Sequence, residues 1–276
     1  MLLRKTYYLL SPRMRRVVRR IWFFPTDVYE SVLGKRNMLV PPKGLIFTGK
    51  GDFTNIGDKL LQHFKKLCDL KPGDRVLDIG CGIGRIARPL TNYLSKDGSY
   101  FGFDIVGMGI RWCLRSYKGF YNFHFQHIPL KNDLYNLSTE NKASQLTFPY
   151  TDEYFDLAVV ISVFTHMQEA DVKRYLSEVS RVLKPGKCCF CTLFLITEET
   201  DEYLRNSENP LFSFRYDHFF LHDARVKDAN IAYRYEWVEE MITSSNLTID
   251  SFFPGWWAGR KEDTTLDFQD ILIIRK

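Results

Sequence analysis

The chain has 276 residues, of which 45% are apolar and 26% are charged, and its net charge is +5. This length and composition are ordinary for one globular domain and exclude a disordered or collagen-like chain. No run of roughly 18 or more apolar residues occurs, so we expect no membrane-spanning helix.

The positive charge lies in an N-terminal arm, residues 1–43, which holds ten basic and two acidic residues, a balance of +8. The remainder, residues 44–276, holds 28 basic and 31 acidic residues, a balance of −3. We therefore expect no nucleic-acid-binding face across this main domain.

The arm contains the pattern of an amphipathic helix. Ser11 is a candidate N-cap, Pro12 suits the first helical position, and Pro25 is expected to end the helix. Between them, apolar residues recur at helical spacing and arginines flank them. Residues 12–24 fit a helix on a membrane surface, but also a helix that packs on the domain or on a partner. A mitochondrial targeting segment over 1–25 is a third interpretation.

Six cysteines lie in predicted helices, strands and one glycine-rich turn, not in the spaced framework of a secreted protein. This usage favours reduced thiols and a cytoplasmic location. Cys188 and Cys191 spell C-x-x-C, but no second pair or histidine cluster accompanies them. Because the surrounding KCCFCTLFL is typical of a buried strand, we expect no metal site there.

Beyond a turn at 41–44, helix and strand patterns alternate along the chain. Helices are predicted at 56–70, 84–96, 107–118, 169–183 and 235–246, and strands at 75–79, 99–104, 122–128, 155–163, 187–195, 248–253 and 268–276. This order predicts an α/β fold with a seven-stranded, mostly parallel sheet, helices on both faces and an N-terminal helical arm. The aperiodic stretch 196–234 is expected to be an insertion over the active site.

Residues 76–85, VLDIGCGIGR, join an apolar strand to a helix through a glycine-rich turn. Glycines allow the backbone to bend sharply and a ligand to approach it closely. A dinucleotide fingerprint would require a glycine or alanine where Arg85 stands. The spacing is instead Asp78-x-Gly80-x-Gly82-x-Gly84.

The second predicted strand ends at Asp104, about 20 residues after the glycine-rich turn. A carboxylate at this position can accept hydrogen bonds from both hydroxyls of a ribose. A helix N-cap is the alternative role for Asp104.

This arrangement resembles the first motif of class I S-adenosylmethionine-dependent methyltransferases. Residues 146–156 and 181–187 are similar to the family's approaches to strands four and five. The resemblance covers residues 54–195 and implies a Rossmann-like enzyme that uses S-adenosylmethionine. It implies that the donor is bound by Asp78, Ile79, Gly80, Cys81, Gly82, Gly84, Asp104, Ile105, Ala143, Ser144 and Ser162. The family's adenine-contacting Asp is missing from ENKASQ at 140–145, so this contact is assigned to backbone near Ala143 or to the Ser144 side chain.

An acceptor hydroxyl must lose its proton when it is methylated, and histidine suits that task. His166 follows the fourth strand, at the edge where parallel strands line a ligand crevice, although a core or capping role is the alternative. His218 and His222 in the insertion are further candidates for this base; they stand four apart, a spacing that would put both on one face if the segment were helical.

An aromatic run at 253–260 suits a sugar ring or planar acceptor, or else a packing turn. Together with 41–53, this ending is similar to methyltransferases found with bacterial polysaccharide machinery. The resemblance implies methyl transfer to an oxygen of a sugar or glycan-type acceptor. The alternatives are a small metabolite, a protein side chain, or an inactive cofactor-binding scaffold.

Overall fold

The computed structural model describes residues 11–34, 36–49 and 51–276. In these residues the helices are α1 (Pro12–Val32), α2 (Phe53–Leu67), α3 (Ala87–Leu90), α4 (Gly107–Ser116), α5 (Glu169–Val182), α6 (Glu198–Asn206) and α7 (Tyr235–Ser244). The strands are β1 (Arg75–Ile79), β2 (Ser99–Asp104), β3 (Phe123–His127), β4 (Phe155–Val160), β5 (Leu183–Leu193), β6 (Leu195–Ile196), β7 (Phe214–Arg215), β8 (Phe219–Leu221), β9 (Ile231–Arg234), β10 (Thr248–Phe253) and β11 (Asp270–Arg275).

The main sheet has seven strands in the order β10-β11-β5-β4-β1-β2-β3. The five strands from β5 to β3 pair in parallel, whereas β11 runs antiparallel to both of its neighbours. The predicted seven-stranded, mostly parallel α/β fold is therefore confirmed, together with an N-terminal helix.

Both faces of the main sheet are covered by helices, because the central strands are apolar on both sides. In β1, the fully buried Leu77 and Ile79 face a layer that includes α5 and α7, and Val76 faces a layer that includes α2 and α4. With both faces closed, the carboxyl ends of the strands are the place where a ligand can meet the sheet.

The predicted helix at 84–96 is wrong in extent, because only α3 is α-helical there. Pro89 lies inside α3 and has no N–H to donate to the preceding turn. The segment after it continues as turns, in which Tyr93 N and Leu94 N both donate to Leu90 O.

The stretch 196–234 is folded. It contains α6 and most of a second sheet of four short strands, in the order β6-β9-β8-β7. A small core of its own lies beneath, in which Phe194, Phe212, Phe220 and Trp257 are buried. Strands of two to four residues are too short to show a period, which is why the sequence pattern missed them.

The predicted end of the arm helix at Pro25 is wrong. Ser11 accepts from Met14 N and Pro12 stands at the start, as predicted, but α1 continues through Pro25 to Val32. A proline removes one backbone hydrogen bond, and the polar contacts of Asp27 with Lys43 N and Gly44 N hold the second half of the helix on the domain. Residues 1–10 of the predicted arm lie outside the described residues. None of the helices in the described ranges is long and apolar enough to cross a membrane.

Candidate functional site

The glycine-rich turn after β1 is bound to the end of β2. Gly80, Gly82 and Gly84 have φ values of 77°, 61° and 82°, which L side chains rarely adopt. The N–H groups of Gly80 and Cys81 donate to Phe103 O at 2.9 and 3.0 Å. The turn therefore lies against the carboxyl end of β2, as the sequence pattern predicts.

Two side chains from distant segments cover this turn. A Cβ at Gly80 would lie 2.4 Å from Val163 Cγ2, and a Cβ at Gly82 would lie 2.5 Å from Thr48 Cγ2. Arg85 holds Thr48 in place by donating to its carbonyl oxygen and to its hydroxyl. The glycines are thus required for close approach as well as for conformation.

Asp104 joins the glycine-rich turn to the loop after β2. Its buried carboxylate accepts from Gly82 N at 2.8 Å through one oxygen and from Val106 N at 2.6 Å through the other. Burial raises the pKa of Asp104 to about 6, and these two N–H groups only partly offset that effect. Each oxygen keeps a second lone pair, so the carboxylate can still accept from two hydroxyls.

Four other residues at this end of the sheet were predicted to bind the methyl donor, and their side chains face the protein interior. Asp78 accepts from Tyr100 OH at 2.6 Å, and burial raises its pKa to about 7. Ile79 and Cys81 are buried in the core, and Ile105 packs against it. We therefore expect these four residues to contact the methyl donor, if at all, through their backbone atoms, and this contact stays a prediction.

The predicted adenine-contacting residues lie in a short 3₁₀ turn, Ala143–Gln145, packed against α5. Burial raises the pKa of the Asp171 carboxyl, an effect that the backbone and side chain of Ser144 partly offset. An adenine contact with the backbone around Ala143, whose side chain is buried, or with the Ser144 side chain stays a prediction.

Ser162, two residues beyond the end of β4, has an unusual backbone conformation. Its φ is +55°, which is uncommon for a residue other than glycine and is found preferentially at functional sites. Its N–H donates to Thr192 Oγ1 and its hydroxyl donates to Gln269 Oε1, both at 2.8 Å. The Thr192 hydroxyl donates to the same Gln269 oxygen at 2.6 Å. This network fixes the ends of β4 and β5 against the residue preceding β11.

His166 lies one turn beyond Val163, which covers Gly80, and its backbone N–H donates to Val163 O. Its Nδ1 is 2.8 Å from Asp228 O. Because a carbonyl can only accept, Nδ1 carries the proton and Nε2 carries the lone pair. Burial lowers the pKa of His166 to about 4, an effect that the Asp228 and Ala229 carbonyls partly offset. A neutral imidazole in this tautomer can accept a proton.

The predicted shared helix face of His218 and His222 is wrong, because the two residues stand at opposite ends of strand β8. His218 is exposed and stacks on Trp237 with ring centroids 6.5 Å apart. His222 donates from Nδ1 to Leu211 O at 2.6 Å. Their contacts differ from those of His166, so the structure does not join the three histidines in one site.

The C-terminal aromatic run is largely a packing turn. Trp257 is buried, and its Nε1–H donates to Asp270 at 2.7 Å. Trp256 packs edge-on against Phe268, and Arg260 pairs with Glu199. Stacking of Trp257 on a sugar ring is therefore not available.

Cys188 and Cys191 face opposite sides of β5, one in each core layer. They cannot chelate one ion together. Within the ranges described, no three His, Cys, Asp or Glu side chains converge as a metal site requires.

The sequence analysis missed the contacts of four residues that shape this site. They are Thr48, Arg85, Val163 and Gln269. Each meets its partner across a long separation in the chain, as Arg85 does with Thr48. Short-range periodicity carries no information on such contacts.

Comparisons with known proteins agree with the fold and the motif. Residues 77–191 match the family described as "Methyltransferase domain". Residues 77–191 are thus similar to methyltransferase domains, and the cofactor that this similarity implies is S-adenosylmethionine. The buried Asp104 beside the glycine-rich turn fits the ribose of that molecule.

The relatives that match this chain are named for quite different substrates. Over 117 residues the chain is 28% identical to a sterol 24-C-methyltransferase of Schizosaccharomyces pombe. The matched segment is 42% of this chain and 27% of that protein. Over 168 residues it is 30% identical to a glycine/sarcosine/dimethylglycine N-methyltransferase of Actinopolyspora halophila. That matched segment is 61% of this chain and 26% of the relative. The chain thus spans about a quarter of the length of these relatives.

A solved structure shows the same fold. The S-adenosylmethionine-dependent methyltransferase of Methanosarcina mazei superposes with a TM-score of 0.50 at 21% identity, over 79% of this chain and 96% of the other.

Proposed function

We propose that this protein transfers a methyl group from S-adenosylmethionine to a small-molecule acceptor at the carboxyl edge of β1, β2 and β4. The observation that carries the proposal is Asp104, whose carboxylate bridges the N–H groups of Gly82 and Val106 beside the glycine-rich turn. S-adenosylmethionine supplies a methyl group already activated on a sulfonium, so the protein's main task is to align the acceptor.

In this mechanism Asp104 would accept from both ribose hydroxyls, and the Gly80–Gly84 backbone would hold the donor close to the end of β1. Ser162 and Gln269 fix the ends of the strands under the reacting groups. His166 takes the proton from an acceptor hydroxyl on Nε2, while Asp228 O orients its ring through Nδ1.

We further propose that residues 196–234 form one wall of the acceptor pocket. Asp228 supports this, because its carbonyl orients His166 while its carboxylate accepts from Gln168 Nε2 and Asp133 N, both at 2.8 Å. An insertion joined in this way to the segment after β4 is suited to decide which acceptor enters.

For the acceptor we keep an oxygen of a sugar or glycan-type molecule as the first hypothesis, with a small metabolite or protein side chain as the second. Peripheral membrane contact through residues 12–24 belongs to the same hypothesis, because a lipid-linked glycan is presented at a membrane. The relatives methylate a sterol in one case and glycine derivatives in another.

The test is calorimetry with S-adenosylhomocysteine on wild type and on Asp104→Ala. Loss of two charge-assisted hydrogen bonds is expected to weaken binding by roughly 100-fold. Asp263→Ala, which removes an exposed carboxylate far along the chain, is the control and should bind like wild type. Equal affinity of wild type and Asp104→Ala would overturn the assignment.

A screen for S-adenosylhomocysteine release over sugars, lipid-linked glycans and small metabolites then identifies the acceptor class. Donor binding without release across such a panel would favour the inactive scaffold.

A further inference from the structure

The arm helix α1 is packed on the domain with its polar side inward. Arg15 is buried and donates to Leu134 O at 3.1 Å, and Arg16 donates to Tyr135 O at 3.3 Å. Further along, Asp27 accepts from Lys43 N and Gly44 N, and Glu30 pairs with Lys43. Surface helices of globular proteins ordinarily bury the opposite, apolar side.

The apolar side of α1 consequently faces outward along its whole length. Ile21, Trp22 and Phe24 are 70%, 78% and 66% exposed, and Val32 near the end of the helix is 79% exposed. The same side carries Met14, Val17, Val18, Val28 and Tyr29, all of them exposed. A continuous apolar stripe of this size marks a surface that contacts another phase or molecule.

The charges beside this apolar stripe indicate which kind of surface it contacts. α1 holds five arginines and two acids, and both acids are bound on the inward side. Arg13 and Arg20 are exposed at the border of the stripe. Two copies of the helix face to face would bring arginine borders together, whereas anionic lipid headgroups complement them. An apolar stripe with Trp and Phe and an arginine border is the pattern of a helix lying in a bilayer interface.

The helix also contacts the candidate acceptor side. Arg15 and Arg16 hold the loop at Leu134 and Tyr135, and the Tyr135 ring packs edge-on against His166 with centroids 5.4 Å apart. A single loop therefore separates the lipid-facing helix from the candidate base. An acceptor that leaves the bilayer beside α1 has a short path to His166.

We propose that α1 docks its outward apolar face, from Met14 to Val32, into an anionic membrane surface, and that the acceptor is an amphiphile drawn from that membrane. The second half of the statement rests on the proposed methyl transfer, and the first half does not. Docking by this face would leave the loop at Leu134–Tyr135 directly behind α1, about 10 Å (one helix diameter) from the lipid, which keeps the route of a membrane-borne acceptor to His166 short.

The test is flotation of the full chain with vesicles of phosphatidylcholine alone or with about 30% phosphatidylserine. We expect binding to the anionic vesicles that falls with added salt, and at least a tenfold loss of bound protein in Trp22→Ser/Phe24→Ser. The matched control is Leu114→Ser/Tyr121→Ser, which removes exposed apolar side chains outside α1 and should float like wild type. Equal flotation of wild type and Trp22→Ser/Phe24→Ser overturns the docking, as does wild type that stays unbound.

A second copy is the competing occupant, and light scattering of the same variants decides it. A wild-type dimer that Trp22→Ser/Phe24→Ser converts to monomer, with no vesicle binding, would assign the face to self-association.

The acceptor half is tested with the acceptor panel presented in the same vesicles or in buffer. We expect Trp22→Ser/Phe24→Ser to raise KM for vesicle-borne acceptors at least tenfold while S-adenosylhomocysteine affinity stays unchanged. Turnover confined to water-soluble acceptors would overturn the amphiphile and leave docking in place. A protein that floats but does not bind S-adenosylhomocysteine would contradict the methyltransferase function alone.

Discussion

Asp104 holds two loops of the fold together and, in the proposed function, also binds the ribose of the methyl donor. Its carboxylate ties the turn after β1 to the loop after β2 through Gly82 N and Val106 N. Burial makes the charged form less favourable than in water, and its pKa rises to about 6. Hydrogen bonds from ribose hydroxyls favour the charged form, so donor binding and ionisation of Asp104 are linked.

This linkage predicts a pH dependence of donor affinity. The free protein binds a proton at Asp104 below about pH 6, and the complex releases it, so affinity should rise as pH increases through about 6 and level off above it. Calorimetry with S-adenosylhomocysteine between pH 5 and 8 measures this. Asp104→Asn, which cannot ionise, should bind weakly with no such rise; a rise of the same size in that variant would assign the titration to another group.

His166 is predicted to act as a base that does not titrate in the working range. With its pKa lowered to about 4, its neutral form is present throughout neutral pH, so no loss of turnover from His166 protonation is expected above about pH 5. His166→Asn should lower kcat by roughly 10²- to 10⁴-fold with unchanged S-adenosylhomocysteine affinity.

The control for this prediction is His218→Asn, because His218 is exposed and stacks on Trp237. Its kcat should equal that of wild type. If His166→Asn kept full turnover on a hydroxyl acceptor, His166 would be a structural residue only.

Among the structural elements, the glycine-rich turn allows two effects of a glycine to be tested separately: its left-handed backbone conformation and the close approach of neighbouring atoms. Gly82 and Gly186 both have left-handed φ, 61° and 75°. A Cβ at Gly82 meets Thr48 Cγ2 at 2.5 Å, whereas a Cβ at Gly186 meets nothing within 4 Å. Gly186→Ala should cost about 1 kcal/mol of the free energy of unfolding through backbone strain.

Gly82→Ala carries the same strain and must also displace the Thr48 segment or the turn itself. We expect it to cost about 2–4 kcal/mol and to weaken S-adenosylhomocysteine binding at least tenfold, while Gly186→Ala binds normally. Urea unfolding and calorimetry measure the two effects. Equal behaviour of the two variants would show that close approach at Gly82 is unimportant.

Elements with a regular local pattern were predictable from the sequence, and those decided by distant contacts were not. β1, β2 and β10 have the predicted bounds, because an apolar run flanked by turn residues specifies a buried strand. The site motif was predictable for the same reason, since the turn follows β1 and Asp104 is the last residue of β2. The passage of α1 through Pro25 was not, because it depends on contacts that Asp27 makes with Lys43 and Gly44.

At the scale of the whole molecule, Asp270 joins the main sheet to the second one. It opens β11, is buried, and accepts from Leu195 N, Gly255 N and Trp257 Nε1, each at 2.7 Å. Burial raises its pKa to about 6 in spite of these three donors. One carboxylate therefore anchors the start of β6 and the aromatic turn at once.

Asp270→Ala should accordingly loosen the 196–234 region before the seven-stranded sheet. Three buried donors without an acceptor are expected to cost about 3–5 kcal/mol, measured by urea unfolding. Asp263→Ala, at an exposed position, should leave stability within about 0.5 kcal/mol of wild type. Limited proteolysis should cut Asp270→Ala within 196–234 while residues 75–193 stay protected, because the parallel strands do not depend on this carboxylate. Cleavage spread evenly over both sheets would show instead that the two fold as a single unit, and that Asp270 stabilises all of it.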